Sequence, residues 1–167
     1  HTPGRRVIPM ADMVKKIKVA AEARQSKDFL IIARTDSRTT LGLDEALRRA
    51  EAYAKAGADI LFVESPETEE EMRKIGASFD LPLLANMVEK GRTPVLSKAD
   101  LEGLGFKLAI FPVTALLAGV QAMTQVYQHF KSTGSSTGNT VELYDFTELT
   151  KLMGFEDVWE FDKRHAD

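Results

Sequence analysis

Four short apolar runs, each ending in polar residues, alternate with helical patterns along the first part of the chain. The runs are FLIIARTD, ILFVE, LPLLANM and KLAIFPVT, and they predict β-strands at 29–33, 60–63, 81–85 and 108–111. Continuous apolar segments with β-branched residues are typical of parallel strands that are buried on both faces. Because βαβ crossovers are right-handed and make successive strands parallel, the pattern predicts an α/β fold of repeated βα units.

Apolar residues at helical spacing predict the helices that connect these strands. Thr68, with Glu71 three residues later, has the spacing of a capping box at one helix start. A run of small polar residues, STGSSTGNT, predicts a flexible break before the C-terminal part. The predicted helices lie at about 10–25, 43–56, 68–79, 97–104, 115–130, 141–153 and 156–165.

The same pattern divides the chain into three segments. We expect βα units over residues 1–131, a flexible linker over 132–140 and a helical tail over 141–167. Four βα units are half of a (β/α)₈ barrel, a fold that takes about 250 residues. Half a barrel leaves strand edges exposed, so we expect another half to complete it.

A flavodoxin-like open sheet is the alternative arrangement of the same units. That fold usually begins with a strand and carries a recognisable phosphate-binding loop, whereas this chain begins with a polar loop and a helix. It also has neither a G-x-G-x-x-G sequence nor a Walker pattern. Half of a TIM-type barrel is therefore the favoured architecture.

Composition narrows the classes of function. The net charge of -3 and the mixing of basic with acidic residues argue against a nucleic-acid-binding surface, which needs clustered Lys and Arg. No apolar stretch approaches the roughly 18 residues of a membrane span. The absence of cysteine excludes disulfides and thiolate metal sites and favours a cytoplasmic protein. We expect neither nucleic acid nor membrane as a partner.

Polar residues follow each apolar run at the point where a strand gives way to its loop. In parallel α/β folds these points share one rim, which is where ligands bind. We therefore expect the side chains at this rim to lie close together and to form a site. They are Arg34, Asp36, Glu64, Asn86 and Thr114.

Each of these residue types suits a particular task at such a site. Arg34 can bind a carboxylate or phosphate through two hydrogen bonds, although a structural ion pair with Asp36 is an equal alternative. Glu64 ends an apolar strand, where burial is costly without a metal, an arginine or a proton. Its alternative is to cap the next helix or to face solvent. Asn86 offers both a donor and an acceptor for orienting a substrate carboxylate.

Five stretches of the sequence carry a family resemblance: HTPGRRVIPMADMVKKI, IIARTDSR, GADILFVE, LLANMVEKGRTP and KLAIFPVTAL. Together they resemble the C-terminal half of the isocitrate lyase/phosphoenolpyruvate mutase superfamily, over essentially the whole chain. The similarity is greatest to its short members, such as methylisocitrate lyase, dimethylmalate lyase and carboxyphosphonoenolpyruvate mutase. The resemblance implies the second half of a (β/α)₈ barrel, with a C-terminal helical extension swapped between the subunits of a tetramer, a dimer of dimers.

The resemblance also implies a chemistry. Members of the superfamily use Mg²⁺ and act on small 2-hydroxy or 2-oxo carboxylates through an enolate-type intermediate. A carbon–carbon bond lyase is the expected activity. A phosphonate P–C bond mutase or hydrolase on the same fold, and a non-catalytic half-barrel, are the alternatives.

Site roles follow from the resemblance position by position. Arg34, Asn86 and Thr114 match substrate-binding positions, and Glu64 matches a glutamate beside the substrate that takes part in catalysis. His1 matches the last residue of a K-K/R-C-G-H lid loop, so residues 1–9 would be the remnant of that lid and His1 a catalytic residue.

A consequence of this alignment is that part of the machinery lies outside the chain. The lid cysteine would precede His1 by two residues, and the aspartates that bind Mg²⁺ in the family would lie further upstream. We therefore expect no metal ligands in this chain, no activity of the chain alone, and a missing N-terminal half-barrel as its partner.

Two departures from the family pattern bear on the substrate. Methylisocitrate lyases place arginines at two positions where this chain has Leu117 and Thr140. Each charge-assisted contact to a carboxylate is worth about 1.5–3 kcal/mol, so their loss disfavours a tricarboxylic substrate. A small dicarboxylate is the favoured substrate, and a phosphonate remains the alternative.

Overall fold

A computed structural model describes residues 4–166, so His1 lies outside the described residues. The chain consists of two compact units, His1–Leu116 and Leu117–Asp167. The strands are β1 (Ile32–Thr35), β2 (Ile60–Val63), β3 (Leu84–Asn86) and β4 (Leu108–Ile110). The helices are α1 (Met10–Ala23), α2 (Arg38–Leu41), α3 (Leu43–Lys55), α4 (Glu69–Gly76), α5 (Lys98–Gly103), α6 (Thr114–Thr133), α7 (Phe146–Leu152) and α8 (Phe155–His165).

The four strands are parallel and adjacent in chain order. Strands β1 and β2 pair with Arg34 opposite Phe62, and β3 and β4 pair with Asn86 opposite Ile110. A parallel bridge between Leu61 and Leu83 joins the two pairs. Because a helix follows each strand and all strands run the same way, their carboxyl ends lie on one edge. The predicted α/β fold is confirmed.

The core of the first unit lies between the strands and the helices α1, α3, α4 and α5. Strand β2 is buried along its whole length, as its continuous apolar run predicts. The helices contribute closely packed side chains to the same core. These include Ala46, Ala50, Tyr53, Met72, Ile75 and Leu101, each at most 3% exposed.

Two strand predictions are corrected by the structure. Phe29 and Leu30 are 68% and 54% exposed and precede β1, which begins only at Ile32. Strand β1 alternates between exposed and buried residues instead of being buried on both faces. The physical reason is that Ala33 and Thr35 face the helix-covered core, whereas Ile32 and Arg34 point to the opposite face, which the described residues leave uncovered. Strand β3 begins at Leu84, later than the predicted 81.

The helix starts show how capping depends on the surroundings. Ser97 and Asp100 form a complete capping box at α5, with both reciprocal hydrogen bonds present. At α4 only half of the predicted box forms: the Thr68 hydroxyl accepts from the Glu71 N–H. The Glu71 carboxylate accepts instead from the Glu67 N–H and from Arg38. An arginine distant in sequence thus competes for a side chain that the local pattern assigns to the cap.

The second unit has many exposed apolar side chains. Helices α7 and α8 contact each other, and Phe155 and Trp159 of α8 lie with ring centroids 6.1 Å apart. None of the described residues of this unit is buried. Phe146 and Leu152 of α7 are 77% and 73% exposed. Among residues 4–166, no helix has both the length and the apolar character needed to cross a membrane.

Candidate active site

Three of the predicted rim residues are in contact. Arg34 is on β1, Glu64 follows β2, and Asn86 ends β3. The Arg34 Nη2 lies 3.5 Å from the Glu64 Oε1, and the Asn86 Nδ2 donates to the Glu64 Oε2 at 3.4 Å. The parallel order of the strands therefore brings together a cation, a carboxylate and an amide from three successive βα units.

Glu64 is the buried centre of this cluster, with 3% of its surface exposed. A third donor reaches it from Ser65, whose hydroxyl lies 3.3 Å from Oε1. Charge-assisted hydrogen bonds to carboxylates are usually about 2.7–2.9 Å long, so all three contacts are loose. The carboxylate is shielded from water and retains capacity to accept a stronger hydrogen bond. This is what a group that binds a ligand hydroxyl requires.

Of the two alternatives that the sequence left open for Arg34, the structure shows the ion pair with Asp36 and leaves the other a prediction. Its Nε and Nη2 donate to the two oxygens of Asp36, at 2.6 and 3.0 Å, so the structural ion pair exists. Its guanidinium carbon also lies 4.9 Å from the centre of the Phe62 ring, a cation–π contact. The side chain nevertheless remains 44% exposed. Because the pair with Asp36 uses only part of its five N–H groups, Arg34 can still bind an anion.

Asp36 lies between two arginines, which fixes its charge. The Arg5 Nη1 is 3.2 Å from the Asp36 Oδ2, the oxygen that also accepts from the Arg34 Nη2. Burial acts to raise the pKa of Asp36, but the hydrogen bond and charge of Arg34 and the charge of Arg5 outweigh it and lower that pKa. In turn, the hydrogen bond to Asp36, opposed by burial and aided by the charge of Glu64, raises the pKa of Arg34. Both groups are therefore ionised at neutral pH.

A carboxylate with a lowered pKa makes folding sensitive to acid. Asp36 stabilises the folded state fully above its unfolded pKa near 3.8, and the contribution is lost as the pH falls through the lower folded pKa. We expect the unfolding free energy of the Asp36→Asn variant to fall less steeply than that of the wild type between about pH 5 and pH 3. Urea unfolding across this range measures the slope.

The control for this comparison is Asp28→Asn, at an exposed position outside the cluster. We expect it to keep the wild-type slope. Equal slopes for wild type and Asp36→Asn would contradict the assignment of Asp36 as an anion held by two arginines.

Thr114 makes its hydrogen bond outside this cluster. It begins α6, and its hydroxyl donates to the Glu89 Oε1 in the loop after β3. That hydrogen bond, with a backbone one, lowers the pKa of Glu89. A threonine that donates to a carboxylate has no proton left for a substrate and can only accept from it. Sequence reasoning placed Thr114 at the rim but gave no signal for Glu89 as its partner.

The described residues do not make a metal site. Within residues 4–166, no group of three or more His, Asp or Glu side chains is placed to hold an ion. Glu64 is accompanied by an arginine and an amide instead of further carboxylates. Such a set can orient an anionic ligand and accept a proton from it, but it does not fit Mg²⁺ by itself.

Comparison with known protein families shows which family the chain belongs to. A family model described as phosphoenolpyruvate phosphomutase matches residues 1–131. The chain belongs to this family. The superfamily that the sequence motifs indicate, the PEP mutase/isocitrate lyase superfamily, is thereby confirmed.

Curated relatives within the family include several lyases. The chain is 44% identical to the 2,3-dimethylmalate lyase of Eubacterium barkeri, over 99% of this chain and 57% of that protein. It is 40% identical to the 2-methylisocitrate lyase of Aeropyrum pernix, over 100% of this chain and 53% of that protein. The chain thus spans about half the length of the curated relatives it matches.

Solved structures of the family match the fold over almost the whole chain. A trigonal crystal form of 2,3-dimethylmalate lyase matches with a TM-score of 0.89 and 32% identity, over 99% of this chain and 56% of that one. A phosphonopyruvate hydrolase complex with oxalate and Mg²⁺ matches with a TM-score of 0.85 and 28% identity, over 99% and 60%. Both lyases and P–C bond enzymes therefore share this α/β arrangement.

Proposed function

We propose that this chain forms the substrate-binding half of a Mg²⁺-dependent carbon–carbon bond lyase. Its substrate would be a small 2-hydroxy or 2-oxo dicarboxylate, cleaved through an enolate-type intermediate. The observation that carries the proposal is the contact of Arg34, Glu64 and Asn86 at the strand ends. Support comes from the 44% identity to a 2,3-dimethylmalate lyase.

The three side chains offer complementary contacts to a 2-hydroxy acid. The exposed part of the Arg34 guanidinium would bind a substrate carboxylate. Within residues 4–166 the Asn86 Oδ1 is buried without a hydrogen-bond partner, and buried polar atoms normally have one. A donor from the completed site would supply the missing hydrogen bond, and the substrate hydroxyl, with its single proton, would instead face Glu64.

Glu64 would accept or orient the proton of the substrate hydroxyl. A retro-aldol cleavage begins when the hydroxyl oxygen loses its proton and its electrons form the carbonyl of the keto-acid product. The electrons of the broken C–C bond pass to the other fragment, which needs a proton from an acid. Glu64 has loosely engaged oxygens beside the proposed hydroxyl position, so it can accept or orient that proton. His1 and the lid cysteine before it would belong to the acid side, as the family pattern implies.

An N-terminal half would complete the protein. Strands β1 and β4 are edges of the described strand order, and they expose Ile32, Leu108 and Ile110 at 46%, 38% and 39%. Exposed apolar edge strands are normally covered or paired. We call the polypeptide that carries both halves the complete protein. Its N-terminal half would close the barrel and carry the ligands of a Mg²⁺ ion, which would offset negative charge on the pyruvate-like fragment.

The C-terminal helices would take part in assembly. Helices α7 and α8 expose large apolar side chains, among them Phe146, Leu152 and Trp159. Extended exposed apolar surface marks a protein contact. We propose that these helices are exchanged between copies of the chain in a homo-oligomer, a dimer of dimers in the cytoplasm.

A dicarboxylate is preferred to methylisocitrate because of two positions. By the family pattern, Leu117 and Thr140 would occupy the positions of two methylisocitrate lyase arginines, and neither can bind an additional carboxylate as a cation does. An apolar residue instead suits an alkyl group or no substituent.

A phosphonate enzyme is the second candidate. The matching family model is described as phosphoenolpyruvate phosphomutase, and a phosphonopyruvate hydrolase shares the fold. Arg34 would bind a phosphonate as readily as a carboxylate.

Product analysis of the complete protein distinguishes the candidates. With Mg²⁺ present, we expect 2,3-dimethylmalate or a similar 2-hydroxy dicarboxylate to yield pyruvate or another 2-oxo acid, with no phosphate released from phosphonopyruvate. Phosphate release, or isomerisation of phosphonopyruvate, without dicarboxylate cleavage would favour the phosphonate enzyme. Turnover of none of these compounds would favour a non-catalytic role and overturn the proposal.

A further inference from the structure

All three guanidinium nitrogens of Arg38 contact carboxylates that follow Glu64, one in the loop after β2 and one in the first turn of α4. Its Nε and Nη2 donate to the two oxygens of Glu71, at 2.9 and 2.6 Å. Its Nη1 lies 2.5 Å from the Glu67 Oε1. The side chain is only 16% exposed, so these charge-assisted bonds are partly shielded from water.

The segment 64–68 between β2 and α4 is fastened at both ends by these contacts. At its start, the Glu64 N–H donates to the Thr35 carbonyl at 3.0 Å. At its end, the Glu67 N–H donates to the Glu71 Oε2 at 2.8 Å. Arg38, three residues after Thr35, forms ion pairs with both Glu67 and Glu71. The segment is therefore anchored at two separate points, to the end of β1 and to the start of α2.

Ser65, in the middle of this segment, has a φ of +60°, a conformation that non-glycine residues seldom adopt. Such a backbone persists only where surrounding contacts impose it. The same residue donates to the Glu64 Oε1. The direction of the Glu64 carboxylate is thus coupled to a backbone conformation that the segment's anchors maintain.

A third loop joins the same anchor. Arg92, in the loop after β3, lies 3.5 Å from the Glu67 Oε1, the atom that also faces Arg38. Glu67 is therefore shared by an arginine at the start of α2 and one in the loop after β3. Asp36 lies in the loop after β1, Glu64 begins the loop after β2, and Asn86 immediately precedes the loop after β3. One ion-pair network therefore connects the elements that position the cluster.

We infer that Arg38 is a positioning residue that fixes the Glu64 carboxylate through Glu67 and Glu71. Its consequence for catalysis rests on the proposed function of Glu64. A lysine cannot replace Arg38, because one ammonium cannot reproduce a bidentate bond to Glu71 and a further bond to Glu67. A misplaced carboxylate lowers the rate of the chemical step more than it weakens substrate binding.

The test uses Arg38→Lys and Arg38→Gln, with Arg48→Gln as the matched control. Arg48 makes a comparable bidentate pair with Glu45 on α3, but it is 58% exposed and away from the rim. We expect amide hydrogen exchange within 64–68 to become about tenfold faster or more in both Arg38 variants, since opening is no longer opposed by the anchor. Arg48→Gln should exchange as the wild type does.

Kinetics of the complete protein separate positioning from simple stabilisation. We expect kcat to fall about 10–100-fold in Arg38→Lys, with KM changed less than about threefold and with a melting temperature that stays above the assay temperature. Because Arg38 acts through Glu71, the double variant Arg38→Gln/Glu71→Gln should lose no more than Arg38→Gln alone.

Wild-type exchange and wild-type kcat in Arg38→Lys would overturn the inference, as would faster exchange with unchanged kcat. The exchange experiment decides whether Arg38 fixes the segment even if the complete protein turns over none of the substrates. That last result would overturn the proposed function and leave the exchange result to be judged separately.

Discussion

The complete protein with Arg34→Gln is expected to lose at least about a hundredfold in kcat/KM for its dicarboxylate substrate. Two charge-assisted hydrogen bonds to a carboxylate contribute about 1.5–3 kcal/mol each, and about 1.4 kcal/mol corresponds to a factor of ten. The substitution also removes the cation beside the buried Glu64, which lies 3.5 Å from Arg34. Steady-state kinetics at saturating Mg²⁺ measure the loss.

Two controls distinguish a loss of substrate binding from a loss of folding. Arg34→Gln should lose some stability with its Asp36 pair but remain folded at the assay temperature, which its melting curve measures. Arg48→Gln, at an exposed pair on α3, should keep wild-type kcat/KM. Full activity in a folded Arg34→Gln variant would show that the substrate does not bind at this rim.

Gly76→Ala is expected to have the largest effect on stability. Gly76 ends α4, and a Cβ at this position would overlap the carbonyl oxygen of Leu104 and lie 2.9 Å from its carbonyl carbon. A backbone carbonyl cannot rotate away as the end of a side chain can, so α4 and the segment after α5 must separate. Overpacking in a close-packed interior costs about 3 kcal/mol when the neighbour cannot yield.

Urea unfolding of the chain measures this cost, with Gly103→Ala as the control. Gly103 lies in α5, and an added Cβ there meets nothing within 4 Å. Alanine has the higher helix propensity, so Gly103→Ala should stabilise the chain by about 0.5–1 kcal/mol. Similar unfolding free energies for the two variants would contradict the close approach of Gly76 to Leu104.

The strands show how far the apolar pattern determines the fold. Strand β2 occurs at the predicted residues because its run is bounded by Gly57 and Glu64 and is buried on every side. Strand β1 begins later than predicted, because the apolar character of Phe29 and Leu30 does not show whether another element packs against them. Helix α2, with four residues, is too short for helical periodicity to be visible.

The site was predictable where topology alone decides the geometry. Arg34, Glu64 and Asn86 meet because the ends of adjacent parallel strands must meet, and the sequence places one polar residue at each. Thr114 also follows a strand, but its hydroxyl is engaged by Glu89, a pairing that no spacing rule indicates. The predicted roles of these four residues and of His1, and the division at residues 131 and 140, remain predictions.

Contacts between distant segments were the part that the sequence did not reveal. The T-x-x-E pattern at Thr68 predicts that Glu71 caps its own helix, whereas its carboxylate accepts hydrogen bonds from Arg38 of α2. Ser65 carries no sequence signal for a positive φ, because glycine and asparagine are the residues usually found there. These features arise from tertiary contacts, which override local preference when charged groups are partly buried.

A crystal structure of the complete protein with oxalate and Mg²⁺ tests the central claim most directly. Oxalate resembles an enolate-type carboxylate and was bound in the solved phosphonopyruvate hydrolase complex. We expect an oxalate carboxylate within hydrogen-bonding distance of Arg34, with Glu64 and Asn86 facing the same ligand. Oxalate bound elsewhere, with Arg34, Glu64 and Asn86 contacting only one another, would contradict the assignment of this rim as the substrate site.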